Sequence, residues 1–273
     1  LENIELLRPR ELIYDFFRNS IIVFRCYNVS LLNKLKELKF DDRKLNYAFG
    51  DIFVSNPKHV YTLLKNRPRE TPNDGVILRC LNFNRHWKDY YDRPNDVKFE
   101  NKLDKIIWRG FSTGSQDYPG NRFDLVEKWF KKNPNIDVGF SKIGQSKEAY
   151  EKYLTNRMSI ENMLKYKYIL SVEGNDKDSG IQWKLNSNSI VLMAKPRITS
   201  WLMETKLVPN YHYVLLKDDF SDLEEKLNWC NNNQEKCIKI NKNARKFMSQ
   251  FNDIEREKRI EAKVLKKYFE LIK

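Results

Sequence analysis

Short apolar runs that stop abruptly at polar, glycine-bearing segments dominate the second half of this chain. Ile106-Ile107-Trp108 leads into Arg109-Gly110-Phe111-Ser112-Thr113-Gly114, and Tyr168-Ile169-Leu170-Ser171-Val172 leads into Glu173-Gly174-Asn175-Asp176. Runs of this length, bounded by turn residues, predict buried parallel strands whose carboxyl ends open into a binding crevice. Further strands are predicted over residues 136–138, 189–193 and 211–216, and helices over 122–132 and 160–166. Ser221-Asp222-Leu223-Glu224 has the serine-to-glutamate spacing of a capping box, which predicts a helix start at Ser221. Helical periodicity then runs over 234–251 and 254–272. Alternating strands and helices predict a parallel sheet covered by helices, a Rossmann-like domain.

The first hundred residues are less regular. The pattern predicts a helix over 9–18, a strand over 20–26, a helix over 31–40, a strand over 51–54, helical sequence over 59–65 and a strand over 76–81. A breaker-rich stretch at 67–75 precedes the last of these. The expected organisation is an N-terminal domain over 1–104, a C-terminal domain over 105–248, and a final helix over 249–273 returning to the first.

Size and charge narrow the classes. A chain of 273 residues with 41% hydrophobic and 32% charged content can bury a sizeable core, which excludes a disordered protein. It contains no run with the length and apolarity of a membrane span, and residues 1–5 do not read as a signal peptide, so a cytoplasmic location is expected, the host cytoplasm if the gene is viral. The net charge of +13 predicts an electropositive surface that attracts phosphate-bearing ligands, polyanions or an anionic membrane face. Cys26, Cys80, Cys230 and Cys237 are spread too widely for a disulfide framework. His59, His86 and His212 do not stand at metal-ligand spacing, so no metal site is expected.

The two strand ends carry the candidate chemistry. Arg109 offers a five-donor fork suited to phosphate oxygens, Gly110 and Gly114 permit close backbone approach, and Ser112, Thr113 and Ser115 add hydroxyls. The alternative is a salt-bridging arginine before an ordinary turn, since neither the P-loop nor the dinucleotide fingerprint is present. Glu173-Gly174-Asn175-Asp176 either lines a ligand or caps the next helix. Lys184 and Ser187-Asn188-Ser189 follow closely enough in sequence to share that site, or form a solvated turn.

Trp108-Arg109-Gly110, Lys165-Tyr166-Lys167-Tyr168, Glu173-Gly174-Asn175-Asp176, Trp183-Lys184, Ser187-Asn188-Ser189, Trp201, Glu204, Pro209, His212-Tyr213-Val214 and the segment from Asp218 to Leu223 together resemble glycosyltransferase family 90. That family groups lipopolysaccharide-core and capsule-associated enzymes with protein O-glucosyl and O-xylosyltransferases. Within it the chain is most similar to bacterial and chlorella-virus members. The resemblance implies a GT-B-like α/β fold, two Rossmann-like domains facing across a cleft, and an inverting, UDP-sugar-dependent transfer to a glycan hydroxyl. The viral members imply UDP-xylose as donor and a fucose-containing capsid N-glycan as acceptor. The alternative is UDP-glucose with lipopolysaccharide core or protein as acceptor.

The resemblance also implies roles. Arg109, Gly110 and the Ser112-Thr113-Gly114-Ser115 loop would hold the pyrophosphate or donor sugar. Gly174 and Asp176 would line the nucleotide, Lys184, Ser187, Asn188 and Ser189 would approach phosphate or uridine, and Glu204 would accept from ribose hydroxyls. Many relatives carry arginine where this chain has Lys184, so a point-charge contact replaces a bidentate one. The base would be an aspartate of the N-terminal domain. Asp74 is the first choice, with Asp51 and Asp92 as rivals and with Arg85 and His86 beside it. No cofactor and no metal are expected, because protein cations and amides would stabilise the leaving diphosphate. A non-enzymatic nucleic-acid or carbohydrate-binding protein is the different-class alternative. Nucleic acid is not the expected partner, because the cations are dispersed, and peripheral membrane contact would use the basic surface.

Overall fold

The computed structural model describes residues 6–7, 22–40, 43–47, 61–69, 76–78, 86–92, 95–144 and 148–272. Along the chain run β1 (Leu6–Leu7), α1 (Ile22–Glu37), β2 (Leu45–Asn46), β3 (Thr62–Leu64), β4 (Asn66–Pro68), β5 (Val76–Leu78) and α2 (Lys88–Tyr91). Then come β6 (Leu103–Phe111), α3 (Arg122–Trp129), β7 (Ile136–Lys142), α4 (Ile160–Met163), β8 (Tyr166–Leu170), α5 (Ile181–Leu185) and β9 (Ile190–Met193). The chain closes with β10 (Ile198–Ser200), β11 (Val214–Leu215), α6 (Leu223–Asn232), α7 (Gln234–Met248) and α8 (Ile254–Leu271). It forms two compact units, one of residues 1–88, 197–204 and 251–273, the other of 89–196 and 205–250. The division after residue 88 falls earlier than the sequence pattern placed it, and α8 groups with the first unit.

The second unit is an α/β layer of Rossmann-like topology. Its sheet, in the order β11-β9-β8-β6-β7, is parallel throughout. Ile106, Trp108, Phe140, Tyr168, Leu170, Ile190 and Leu192 pack into one core with Phe123 and Val126 of α3 and Leu223, Leu227 and Cys230 of α6. Ile107 and Ile169, pointing to the other face, pack with Leu164 and Trp183. Apolar residues on both faces are what a helix-covered parallel sheet demands, and they explain the continuous apolar runs in the sequence. Cys230 and Cys237, fully buried on α6 and α7, are free thiols.

In the first unit, β3 and β5 pair in parallel, β1 and β2 antiparallel, and β4 pairs antiparallel with β10. The run over 20–26, expected as a strand, lies largely inside helix α1. Its β-branched residues are carried by a helix whose Leu31 and Leu35, four apart, bury against Leu265, Tyr268 and Phe269 of α8, so tertiary packing overrides local propensity. Residues 62–64, expected as helical, are instead the wholly buried strand β3. The helix expected over 9–18 and the strand over 51–54 lie outside the described residues. Ser221 does not cap α6. The capping position is Asp222, whose carboxylate accepts from the Lys217 amide at 3.0 Å, while Ser221 sits exposed in the preceding turn.

Tyr268 ties α8 to β2: its hydroxyl accepts from the Asn46 amide at 2.6 Å and donates to the Asn46 carbonyl at 3.1 Å. Burial pushes its phenol up to about 12, against a smaller lowering by the Asn46 amide. The folded state therefore keeps a proton that the unfolded chain loses near pH 10. The stabilisation is complete below that pH and disappears as pH rises towards 12, about 2–3 kcal/mol in all. Denaturant titrations at pH 8 and pH 11 should show that decline in the wild type and a smaller one in Tyr268→Phe. Parallel declines would refute it.

Candidate functional site

Strand order reverses between β6 and β8. From β6 the chain steps to β7 on one side, then crosses to β8 on the other and continues through β9 to β11. The crevice outside the carboxyl ends of the strands at such a reversal is where open parallel sheets take up ligands. Two loops leave the sheet there, residues 112–121 after β6 and 171–180 after β8.

The loops touch through their glycines. Gly114 has φ +110°, and a Cβ on it would stand 2.9 Å from the Gly174 carbonyl carbon and oxygen. A Cβ on Gly174 would stand 2.7 Å from Cζ of Arg122. The Tyr118 hydroxyl donates to the Gly174 carbonyl at 3.1 Å, closing the contact from the other side. Glycine is required at Gly114, where φ is positive and the neighbouring atoms are backbone, whereas at Gly174 the neighbour is the tip of the half-buried Arg122 side chain.

Arg122 opens α3 and spans the two loops. Its Nη1 donates to the Phe111 carbonyl at 3.0 Å and to Thr113 Oγ1 at 2.8 Å, and its Nη2 lies 3.4 Å from the Val172 carbonyl. The guanidinium stands 6.0 Å from the Trp108 ring centroid. Asn121 caps the helix, accepting from the Phe123 and Asp124 amides at 2.8 and 2.9 Å. The sequence reading did not single out Arg122. The available signal was an arginine at the first helical position directly after a Pro-Gly-Asn turn.

The other loop residues divide between scaffold and surface. Ser112 is fully buried, its hydroxyl accepting from the Gly144 amide at 2.8 Å. Thr113 is engaged by Arg122, and exposed Ser115 donates to Asp117. Gly110 lies within β6, where an added Cβ would stand 2.5 Å from the Trp108 ring. Asp176 is buried beside Gly174, whose amide donates to the Asp176 carbonyl at 2.8 Å.

Arg109 is held away from the crevice. Its guanidinium donates to Asp137 Oδ1 at 2.7 Å and to the carbonyls of Asp137, Trp108 and Asn156 at 3.0, 2.9 and 3.3 Å. Asp137 pairs in register with Ile107, so the side chain folds back towards the amino end of β6. This is the salt-bridging arrangement the sequence left open.

Lys184 is likewise committed. Its Nζ bonds Asp178 Oδ2 and, at 3.1 Å, the Leu170 carbonyl, and Asp178 also accepts from Ser171 Oγ at 2.7 Å and the Gly180 amide at 2.9 Å. Burial pushes the Asp178 carboxyl up, but Lys184 and the Gly180 and Ser171 donors together outweigh it and hold it below the ordinary carboxylate range. Among the described residues, no group of three or more His, Cys, Asp and Glu side chains is placed to hold a metal ion.

Ser187, Asn188 and Ser189 lie at the opposite edge of the sheet, where β9 begins. Ser189 Oγ donates to the Tyr166 carbonyl at 2.7 Å, and Asn241 donates to the Ser187 and Ser189 carbonyls, both at 2.9 Å. Asn188 takes a bond from Arg245 and gives one to the Val97 carbonyl. Tyr168 is level with Ile190, so Glu173, five residues on, stands roughly 17 Å further along the strand direction at about 3.3 Å per residue. The structure does not bring this triplet to the loops around Gly174.

The remaining candidates belong elsewhere. Glu204 is a buried residue of the first unit, its carboxylate accepting from Ser200 N and Oγ at 2.6 and 2.7 Å. His86 is buried in the first unit, and Asp92 is exposed in the second. Asp51, Asp74 and Arg85 lie outside the described residues.

The profile of glycosyl transferase family 90 matches residues 80–273. The O-glucosyltransferase LpsA of Dichelobacter nodosus is 35% identical over 231 residues, covering 85% of this chain and 68% of LpsA. Uncharacterized protein 179R of Invertebrate iridescent virus 6 is 28% identical over 207 residues, and the match spans only 18% of that protein. Among solved structures, Anabaena Alr3699/HepE in complex with UDP and glucose aligns with a TM-score of 0.48 and 13% identity, over 75% of this chain and 62% of that one. The chain thus spans less than two thirds of the length of the viral protein and of the solved structure.

Proposed function

The chain belongs to glycosyl transferase family 90, and we propose that it is an inverting enzyme transferring glucose from UDP-glucose to a hydroxyl of a glycan acceptor. The observation that carries this reading is the glycine-to-glycine contact of two loops at the strand-order reversal, with the Arg122 guanidinium at that contact. A cation at such a crevice suits a nucleotide diphosphate. Glucose replaces the xylose expected from the sequence, because LpsA is named an O-glucosyltransferase, and nothing in the comparisons favours xylose or a capsid glycan.

In the proposed reaction the acceptor oxygen attacks the anomeric carbon from the face opposite the diphosphate. The carbon–oxygen bond to UDP breaks and its electron pair leaves on the β-phosphate. The acceptor proton passes to a carboxylate, for which Asp74 is the first choice, with His86 and Arg85 beside it and Asp51 and Asp92 as rivals. The donor side rests on the 112–115 loop, Gly174 and Asp176.

A panel of UDP sugars assayed for transfer tests the assignment. UDP-glucose should exceed UDP-xylose in kcat/KM by about tenfold or more if pocket contacts to the C5 hydroxymethyl group are made. Preference for UDP-xylose would reverse the donor assignment, and no transfer from any sugar would reject the reading.

A further inference from the structure

We propose that the surface made by the 208–212 loop and the exposed face of α7 docks on an anionic phospholipid bilayer, with Val208 and Tyr211 entering the headgroup layer and the lysines of α7 lying over it. All of these residues belong to the second unit, and the proposal does not depend on the donor assignment.

The apolar half of the surface is held out by the backbone. Val208 and Tyr211 are each 50% exposed, yet their loop is closely tied. The Tyr211 and His212 amides donate to the Val208 carbonyl at 3.2 and 2.9 Å, and the Asn210 amide donates to the Tyr213 carbonyl at 2.7 Å. The Val208 amide donates to His212 Nδ1 at 2.8 Å. The His212 ring in turn lies 4.8 Å from the Tyr211 ring and 5.3 Å from the Phe247 ring, which fastens the loop to α7. A loop bonded in this way keeps both side chains turned to solvent. Tyrosine, apolar along its ring and polar at its hydroxyl, suits the level of lipid headgroups.

The charged half adjoins it. At about 100° per residue, Lys239 and Lys246 stand within about 100° of Phe247 around the helix, and Lys242 about 140° away on the same side. All three are exposed. The one acid of α7, Glu235, is in its first turn. Lys128, Lys167 and Lys226 of the same unit pair with carboxylates, whereas none among the described residues pairs with Lys239, Lys242 or Lys246. Cations alone would serve any polyanion. The exposed valine and tyrosine at their border add apolar area that a bilayer covers and a soluble polyanion does not, and reversible anchoring takes both signals together.

The full chain is mixed with vesicles of phosphatidylcholine alone and of equimolar phosphatidylcholine and phosphatidylglycerol, and its partition is read by sedimentation. Heparin serves as the soluble polyanion, and thermal unfolding checks that each variant is folded. The unaltered chain should bind the anionic vesicles and not the neutral ones. Lys239→Gln/Lys242→Gln/Lys246→Gln should lower the partition about a hundredfold, roughly fivefold for each lysine at an anionic surface. Val208→Ser/Tyr211→Ser should lower it about tenfold and leave heparin binding unchanged. Lys131, Lys132 and Lys152 are exposed near β7, the edge strand opposite β11, and changing these three to glutamine should cost no more than about threefold at physiological salt.

No binding to anionic vesicles, equal losses from the two lysine triplets, or an unchanged partition in Val208→Ser/Tyr211→Ser would each overturn the proposal. A parallel fall of heparin and vesicle binding in that last variant would also overturn it, and would assign the face to a soluble polyanion.

Discussion

Replacing Lys184 with methionine is expected to lower the stability of the protein by about 3–5 kcal/mol, because it leaves the Asp178 carboxylate buried without its cation. Both side chains are almost completely buried, at 7% and 10% exposure. Asp178 would retain only the Ser171 hydroxyl and the Gly180 amide. Its carboxyl pKa, now below the ordinary value, would then move upwards as burial becomes the dominant influence. The sign of the pH dependence follows. In the wild type the depressed pKa contributes stability that is complete above the ordinary carboxylate pKa and is lost as pH falls through the folded value. In Lys184→Met the raised pKa reverses this, and the variant should recover stability on going from pH 7.5 to pH 5 as Asp178 takes up a proton. Urea unfolding at the two pH values reads both effects. A loss of the same size at both would sink the argument, and Lys184→Met combined with Asp178→Leu should restore most of the stability at neutral pH.

The same pair shows what the sequence could and could not disclose. The apolar runs of β6, β8 and β9 were legible because burial on both faces leaves a nearly continuous hydrophobic signature. The loops that follow them were legible as breaks at the strand ends because Gly114 and Gly174 punctuate them, and the structure brings these two glycines into contact. Partners, however, are a property of tertiary structure. Arg109 follows its strand as a phosphate-binding arginine would, yet its carboxylate partner, Asp137, lies 28 residues away. Lys184 is separated from Asp178 by only six residues, but a loop and the short helix α5 are needed to bring them together. Ser187, Asn188 and Ser189 stand only 13 to 15 positions after Gly174 in the sequence, but α5 carries the chain back to the amino edge of the sheet before they occur. Linear proximity is a poor guide wherever a crossover intervenes. Arg122 was missed for the converse reason: it lies beyond the glycine loop, and only the start of α3 returns it to the strand ends.

Asp74→Asn is expected to lower kcat for sugar transfer by about 10²–10⁴-fold, the range for loss of a positioned general base, while the Kd for UDP changes by no more than about twofold. The reasoning starts from chemical necessity. A sugar alcohol is a weak nucleophile, and inversion requires its proton to leave on the side opposite the departing diphosphate, so base and donor-phosphate contacts must be contributed by separate groups. In the proposed reaction the residues at the strand-order reversal of the second unit supply the phosphate side, and their carboxylate Asp178 is neutralised by Lys184, which removes it as a base. Asp74 precedes β5 in the first unit and lies outside the described residues, so its candidacy rests on the sequence and on family resemblance. Asp92→Asn and Asp51→Asn serve as matched controls. If Asp74 is the base, only its variant loses the acidic limb of the kcat/KM profile along with the rate, since the limb reports the carboxylate that must be ionised in the free enzyme. Wild-type turnover in Asp74→Asn would eliminate it, and a collapse confined to Asp92→Asn, whose side chain is exposed in the second unit, would move the base to that residue.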